Sequence, residues 1–160
     1  TQTNFTIISA ALRPFQGVYS SFLGHINTHE AGAIEHTGHK VLELPTADGK
    51  LTAQQIEENY LIYLNDPKRE HWVQPKMVYI SHPSEVGTLY SKKELEALSA
   101  TCKKYGLYLF LDGARLGYGL THPALTLPCK ILRGFAMFFT SAVPNAVLCS
   151  VKLPSSLILN

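Results

Sequence analysis

Apolar runs alternate with amphipathic stretches along this chain, and the alternation predicts strands separated by helices. Four short apolar runs are typical of strands buried in a sheet, at 18–22, 41–44, 77–80 and 107–111. Helical spacing and capping residues predict helices between them, at 4–12, 30–36, 52–64 and 91 to about 105. This order predicts the α/β class, with a mostly parallel sheet and flanking helices.

Polar residues at the helix starts predict how the helices are capped. Thr3 or Asn4 is expected to cap the first helix. The later helices open on TAQQ (52–55) and SKKE (91–94), which both fit the capping-box pattern. We therefore expect a reciprocal pair of side-chain to backbone hydrogen bonds at each of these two starts.

Three polar stretches follow predicted strands: GHINTHEAG after the first strand, SHPSE after the third and DGAR after the fourth. In parallel sheets, ligands bind at the carboxyl ends of the strands. We therefore expect His25, Ser81 and Asp112 to lie at the same edge of the sheet.

Asp112 ends an apolar run, which is an unusual place for a carboxylate. Burying an unpaired carboxylate is costly, so Asp112 should have a cationic partner. That partner is Arg115 or a group outside the chain. A structural ion pair or a capping role is the ordinary interpretation of such an aspartate.

Composition narrows the class of protein. The chain has 160 residues, of which 46% are hydrophobic and 16% charged, as expected for a folded domain. A net charge of +2 without a Lys/Arg cluster argues against nucleic acid as a partner. The start lacks the pattern of a signal peptide, and no apolar run is long enough to span a bilayer. Three widely spaced cysteines favour a reducing compartment, here the cytoplasm.

Two polar segments have more than one interpretation. Histidines crowd residues 25–39 together with Glu30, which suggests a metal site, an ordinary polar loop or a cofactor contact. The spacing offers no supporting third ligand, so we predict no metal site. The segment TQTN (1–4) precedes a helix and is either an anion site or a plain helix cap.

Taken together, these segments resemble one family. GHINTHEAGAIEHTGHKV, YISHPSEVGTLYSKKELEAL and LYLFLDGARL resemble motifs of the threonine aldolase group of β-eliminating lyases, which are fold-type-I pyridoxal-phosphate enzymes. TQTN resembles the tail of that family's phosphate loop. The resemblance covers roughly residues 1–127 and implies a partial, aspartate-aminotransferase-like large domain.

The resemblance implies roles for individual residues. Asp112 would pair with the protonated pyridine nitrogen, and His25 would stack on the cofactor ring and is the candidate base. Thr1 would hold the phosphate. Arg115 would bind the substrate carboxylate or support the cofactor's phenolic oxygen. Ser81, or the neighbouring histidine, would make a polar contact with cofactor or substrate.

The implied reaction is cleavage of the Cα–Cβ bond of a β-hydroxy-α-amino acid, such as threonine to glycine and acetaldehyde. The cofactor would be pyridoxal phosphate, and the family's usual assembly is a dimer or tetramer with cofactor sites at the subunit interface. The partner would be a small-molecule substrate, with no nucleic acid and no membrane.

Residues 128–160 depart from the family pattern. The family's Schiff-base lysine follows the Asp-Gly-Ala-Arg strand in a segment like YIGGTK, and neither Lys130 nor Lys152 lies in one. A family-like string, DVFYIGGTKCGALFGEA, read one nucleotide late can give residues 137–153, which puts Asn145 in the lysine's place. The chain also opens at Thr1 without Met, so we expect a fragment. From the shifted reading we expect an out-of-frame tail, and without the lysine we expect no activity. The alternatives are a diverged tail and a non-catalytic, small-molecule-binding remnant of the same ancestry.

Overall fold

The strands form a mostly parallel sheet with helices on both faces. The computed structural model describes residues 2–116, 134–143 and 146–151. In chain order the strands are β1 Gln16–Ser21, β2 Val41–Leu44, β3 Gln74–Ser81, β4 Tyr108–Gly113, β5 Phe138–Val143 and β6 Ala146–Val151. Across the sheet their order is β2-β1-β3-β4-β5-β6, with β6 antiparallel to β5 and the other pairs parallel. The predicted α/β class is confirmed.

The helices divide between the two faces of the sheet. They are α1 Gln2–Ala11, α2 His25–Thr28, α3 Ala33–His36, α4 Ala53–Asn65 and α5 Lys92–Tyr105, with a short 3₁₀ helix at Arg69–His71. Apolar residues of α1, α2 and α3 pack with Met77, Tyr79 and Phe110 in one core. Residues of α4 and α5 pack with Val78 and Ile80 in the other. Successive residues of β3 thus face opposite cores, as strand geometry requires.

The helix caps agree with the sequence only in part. At α5 the capping box is confirmed, with Ser91 and Glu94 bonding each other's backbone amides. At α4 the Thr52 hydroxyl accepts from the Gln55 amide at 3.1 Å, but the Gln55 side chain donates to the Pro45 carbonyl at 2.6 Å. The second capping box is therefore wrong in its reciprocal half, because a nearby free carbonyl takes the glutamine amide.

The start of α1 also differs from the prediction. The helix begins at Gln2, and Asn4 lies inside it with only 4% of its surface exposed. The prediction that Thr3 or Asn4 caps this helix is therefore wrong, because both residues lie inside α1 and the Asn4 side chain turns inward to buried acceptors. The predicted helix at 30–36 is shorter, Ala33–His36, and α2 precedes it.

Strands β5 and β6 were not predicted. Their sequences, FFTSAV and AVLCSV, have no alternation of polar and apolar residues that would mark a strand half exposed to water. β5 pairs with β4 and so extends the sheet beyond Asp112. No helix in the three described ranges is long and apolar enough to cross a membrane.

Candidate functional site

The candidate site lies where β1, β3 and β4 end. Ser81 of β3 is paired directly with Asp112 of β4, and His25 begins α2 shortly after β1. The Glu85 side chain accepts from both the Ser81 hydroxyl and the His25 backbone amide, so the two segments meet there. The prediction that His25, Ser81 and Asp112 share one edge of the sheet is therefore confirmed.

Asp112 is buried, with 8% of its surface exposed, and each of its carboxylate oxygens has two donors. Oδ2 accepts from the Tyr79 hydroxyl at 2.6 Å and from Asn4 Nδ2 at 3.1 Å. Oδ1 accepts from the Ala114 amide at 2.9 Å and from the Thr140 hydroxyl at 3.2 Å. All four donors are uncharged, so the site holds a buried carboxylate without neutralising it.

Arg115 is not the partner of Asp112. Its Nη1 donates to Glu85 Oε1 at 3.2 Å. Within the described residues, no basic side chain makes an ion pair with Asp112. Of the two partners that the sequence left open for Asp112, Arg115 is therefore excluded, because the Glu85 carboxylate takes its guanidinium. Of the two alternatives, a cation from outside the chain is left.

Tyr79 is held as a hydrogen-bond donor. Burial, and then the nearby Asp112 charge, raise the pKa of the Tyr79 hydroxyl well above its ordinary value. The phenol therefore stays protonated and donates to the carboxylate. This hydrogen bond was not predicted, because Tyr79 looks like a core residue in an apolar strand.

His25 is oriented by its surroundings at the start of α2. Its Nδ1 lies 2.7 Å from Glu30 Oε1, and its ring stacks on His29 with 5.5 Å between the centroids. A carboxylate only accepts hydrogen bonds, so Nδ1 carries a hydrogen toward Glu30, and the tautomer of a neutral ring that fits this contact has its lone pair on Nε2. The side chain is 29% exposed, so the ring can meet a ligand.

Gly24 makes the turn before His25 possible, because a Cβ there would lie 2.9 Å from the Ser21 carbonyl oxygen.

Asn4 connects the two carboxylates of the site. Its Nδ2 donates to Glu30 Oε1 at 2.7 Å and to Asp112 Oδ2 at 3.1 Å. His25, Glu30, Asn4 and Asp112 thus form one continuous hydrogen-bonded chain. The sequence predicted only a capping role for Asn4. The one signal that Asn4 belongs to the site was its place in TQTN (1–4), which resembles the family's phosphate loop.

Glu85 is a second functional residue that sequence reasoning missed. Its side chain is 7% exposed, and Oε1 accepts from the His25 amide at 3.1 Å, the Ser81 hydroxyl at 2.7 Å and Arg115. The polar stretch SHPSE contains it, but nothing in the sequence distinguishes it from a solvated loop glutamate.

Ser81 and His82, which sequence reasoning left as alternatives, lie on opposite faces. The Ser81 hydroxyl joins the site, whereas the His82 ring packs 6.1 Å from the Tyr90 ring on the side of α4 and α5. Burial, and then the Lys50 charge, lower the pKa of His82 to about 4. His82 is therefore a neutral core histidine and not a contact of this site.

Some predicted residues lie outside the described part of the chain, namely Thr1, Lys130, Asn145 and Lys152. Within the described residues, no group of three or more His, Cys, Asp or Glu could hold a metal ion. Among the described residues, the site brings together three acidic side chains (Glu30, Glu85 and Asp112), one oriented histidine and the guanidinium of Arg115, whose side chain is 39% exposed.

Comparison with known proteins gives consistent matches. A sequence model of the beta-eliminating lyases matches residues 1–122. The low specificity L-threonine aldolase of Pseudomonas aeruginosa is 39% identical over 119 residues, which are 72% of this chain and 33% of that protein. A threonine aldolase structure from Leishmania major superimposes with a TM-score of 0.81 at 50% identity, covering 88% of this chain and 40% of that one. A Mycobacterium tuberculosis aminotransferase, 18% identical, superimposes over 86% of this chain and 35% of its own with a TM-score of 0.59, which shows the fold alone. The chain spans about a third of the length of the curated relative.

Proposed function

Because the chain belongs to the beta-eliminating lyase family, we propose that it carries the pyridoxal-phosphate site of a threonine-aldolase-like lyase. The substrate class is a β-hydroxy-α-amino acid, cleaved between Cα and Cβ. The names of the Pseudomonas and Leishmania relatives, both threonine aldolases, support threonine as the substrate and glycine with acetaldehyde as products.

The observation that carries this proposal is the unneutralised carboxylate of Asp112. A buried carboxylate is normally paired with a cation, and here four uncharged donors leave its negative charge in place. A protonated pyridine nitrogen is a cation that fits such a group. The residues present are therefore compatible with pyridoxal phosphate, with Asp112 at the ring nitrogen.

Two further side chains would complete the hold on the cofactor. The partly exposed His25 ring offers an aromatic face for the cofactor ring. The Arg115 side chain is 39% exposed, and its guanidinium would bind an anionic oxygen of cofactor or substrate. Ser81, which is bonded to Glu85, would lie beside them, and we keep Thr1 as the predicted phosphate contact.

When bound, pyridoxal phosphate supplies an electron sink for the bond that breaks. The chain's own part is to hold protons at two atoms. Asp112 would keep the proton on the pyridine nitrogen. His25, with its hydrogen on Nδ1 toward Glu30, would take the proton of the substrate β-hydroxyl at Nε2. Glu30 fixes the tautomer and the ring orientation, as a carboxylate beside a catalytic histidine does.

We propose further that these 160 residues bind the cofactor without cleaving threonine. An asparagine amide cannot form a Schiff base, and Asn145 is the residue that the family-like string, read one nucleotide late, puts in place of the family's lysine. The same asparagine favours the second candidate, a non-catalytic protein of the same ancestry that binds small molecules. The whole enzyme would act as a homo-oligomer.

Titration of the full 160-residue chain with pyridoxal phosphate, followed by absorbance, tests the proposal. Asp112→Asn keeps the shape of the side chain but removes its charge, so we expect roughly 10- to 100-fold weaker binding, as for the loss of a charged hydrogen bond. Asp66→Asn is the matched control, since Asp66 caps α4 far along the chain from the site and should leave affinity unchanged.

Two results would contradict the proposal. Equal affinity of the wild type and Asp112→Asn would remove Asp112 from the cofactor site, and no binding by the wild type would reject the site altogether. Acetaldehyde release from threonine is measured on the same samples. Turnover by the wild-type chain would show that the lysine assignment, and with it the non-catalytic candidate, is wrong.

A further inference from the structure

Glu85 is a buried carboxylate in a loop, and one of its oxygens gathers three parts of the site. The donors to Oε1 are the first amide of α2, the last side chain of β3 and the guanidinium after β4. The three donors are far apart in sequence. The pairing of β1, β3 and β4 in the sheet does not by itself set the position of α2 or of Arg115. A single acceptor therefore sets how His25 and Arg115 lie relative to each other.

The loop that carries Glu85 is itself fastened to the turn after β2. The Thr88 and Ser84 hydroxyls donate to the Asp48 carbonyl at 2.7 Å and 3.4 Å. The Ser84 amide donates to the Thr88 carbonyl at 2.9 Å. Gly49 has a positive φ of 78°, and a Cβ on it would lie 3.2 Å from the Ser84 side chain. The loop is thus held by contacts outside the site, and Glu85 is presented to the site in one position.

We propose that Glu85 is the positioning residue of this site. It holds the α2 amide at His25 and the guanidinium of Arg115 in place, so that Arg115 can direct its remaining N–H groups to an anionic oxygen of a ligand. Only the identity of that ligand, pyridoxal phosphate, rests on the proposed function. The hold on His25 and Arg115 is a property of the ligand-free chain.

Because Glu85 is charged, the direction in which its replacement changes the affinity for pyridoxal phosphate tests the proposal. A carboxylate next to an anion-binding arginine repels the anion, so by charge alone its removal would tighten binding of pyridoxal phosphate. A positioning residue predicts the reverse, because an arginine released from Glu85 loses its fixed direction. Glu85→Gln separates the effect of the charge from the effect of positioning, since the glutamine carbonyl oxygen still accepts hydrogen bonds while the charge is gone.

Hydrogen exchange in the full chain without ligand tests the hold directly. In Glu85→Ala we expect the His25 amide to exchange at least about tenfold faster, since its acceptor is lost. In Glu85→Gln we expect exchange within about threefold of wild type, with the thermal midpoint of each variant confirming a folded chain. Unchanged His25 exchange in Glu85→Ala would overturn the proposal.

Gly49→Ala and Gly38→Ala test the same hold without touching Glu85. Both glycines have positive φ, 78° and 85°, so both substitutions strain the backbone, but a Cβ at Gly38 meets nothing within 4 Å. We expect faster His25 exchange in Gly49→Ala only, because the added methyl group pushes on Ser84. Equal effects of the two substitutions would contradict a fastened loop.

Binding of pyridoxal phosphate then tests the consequence for the ligand. We expect Glu85→Ala to bind about tenfold more weakly than wild type, and Glu85→Gln to recover most of that loss. Tighter binding by both variants would overturn the positioning role and make Glu85 a competing charge. If the wild type binds no pyridoxal phosphate, the proposed function fails, and the amide exchange of His25 still decides whether Glu85 holds the site.

Discussion

Asn4 shows how a single side chain can join two distant carboxylates. Its amide nitrogen donates to Glu30 and Asp112, which are 26 and 108 positions away in sequence. The nitrogen must face them, because both groups accept and neither donates. Asp112, His25 and Ser81 could be placed from strand ends alone. Asn4 and Glu85 could not, since their roles depend on partners that only the folded chain brings near.

Replacing Asn4 with alanine should destabilise the fold by about 1–3 kcal/mol, because two buried carboxylate oxygens lose a donor. The better helix propensity of alanine, roughly half a kcal/mol, offsets only part of this. Asn59→Ala is the control, since Asn59 donates only to the Gln55 carbonyl within α4, at 2.8 Å. Denaturant unfolding of both variants measures the difference, and equal losses would show that the amide bridge contributes nothing.

Among the elements, the sequence predicted those with a clear pattern. β1 to β4, α4 and α5 were found close to their predicted bounds, because apolar runs and capping residues mark them. β5 and β6 were missed because their sequences have no polar alternation, and periodicity alone cannot then distinguish a strand from a helix segment. The reciprocal cap of α4 failed for another reason, since the Gln55 side chain found a tertiary acceptor.

His82, in the loop between β3 and α5, should make the free energy of unfolding depend on pH. The pKa of His82 is lowered to about 4 when folded, whereas the unfolded side chain titrates near 6.5. Above 6.5 both states are neutral, so this histidine has no effect there. As pH falls from 6.5 toward 4, the unfolded state takes up the proton first, and stability is lost.

His82→Gln should remove that loss, which is about 2 kcal/mol between pH 7 and pH 5. The glutamine oxygen can still accept from the Tyr90 amide, as His82 Nδ1 does at 3.3 Å. His71→Gln is the control, because 76% of the His71 side chain is exposed. The measurement is the free energy of unfolding of each variant at pH 7 and at pH 5. If His82→Gln lost as much stability between these pH values as the wild type, His82 would not be the cause of the pH dependence.

For the whole molecule, the fold and the family could be identified from sequence because three contiguous motifs carry them. The family model covers 122 residues from the start of the chain, and the structural superposition confirms the sheet and its helices. The detailed connections within the site required the structure, because they are made between strands, α1 and a loop. Among the described residues, these connections leave the buried carboxylate of Asp112 with uncharged donors only, at the edge of the sheet where we propose that the cofactor binds.

The nitrogen resonance of ring-labelled ¹⁵N pyridoxal phosphate bound to the full chain tests this account most directly. Its chemical shift reports whether the pyridine nitrogen is protonated. At pH 9 we predict a protonated nitrogen in the wild-type complex and an unprotonated one in Asp112→Asn, because the carboxylate supplies the counter-charge. A bound but unprotonated nitrogen in the wild type, or the same shift in both proteins, would contradict the assignment of Asp112 as the cofactor's partner.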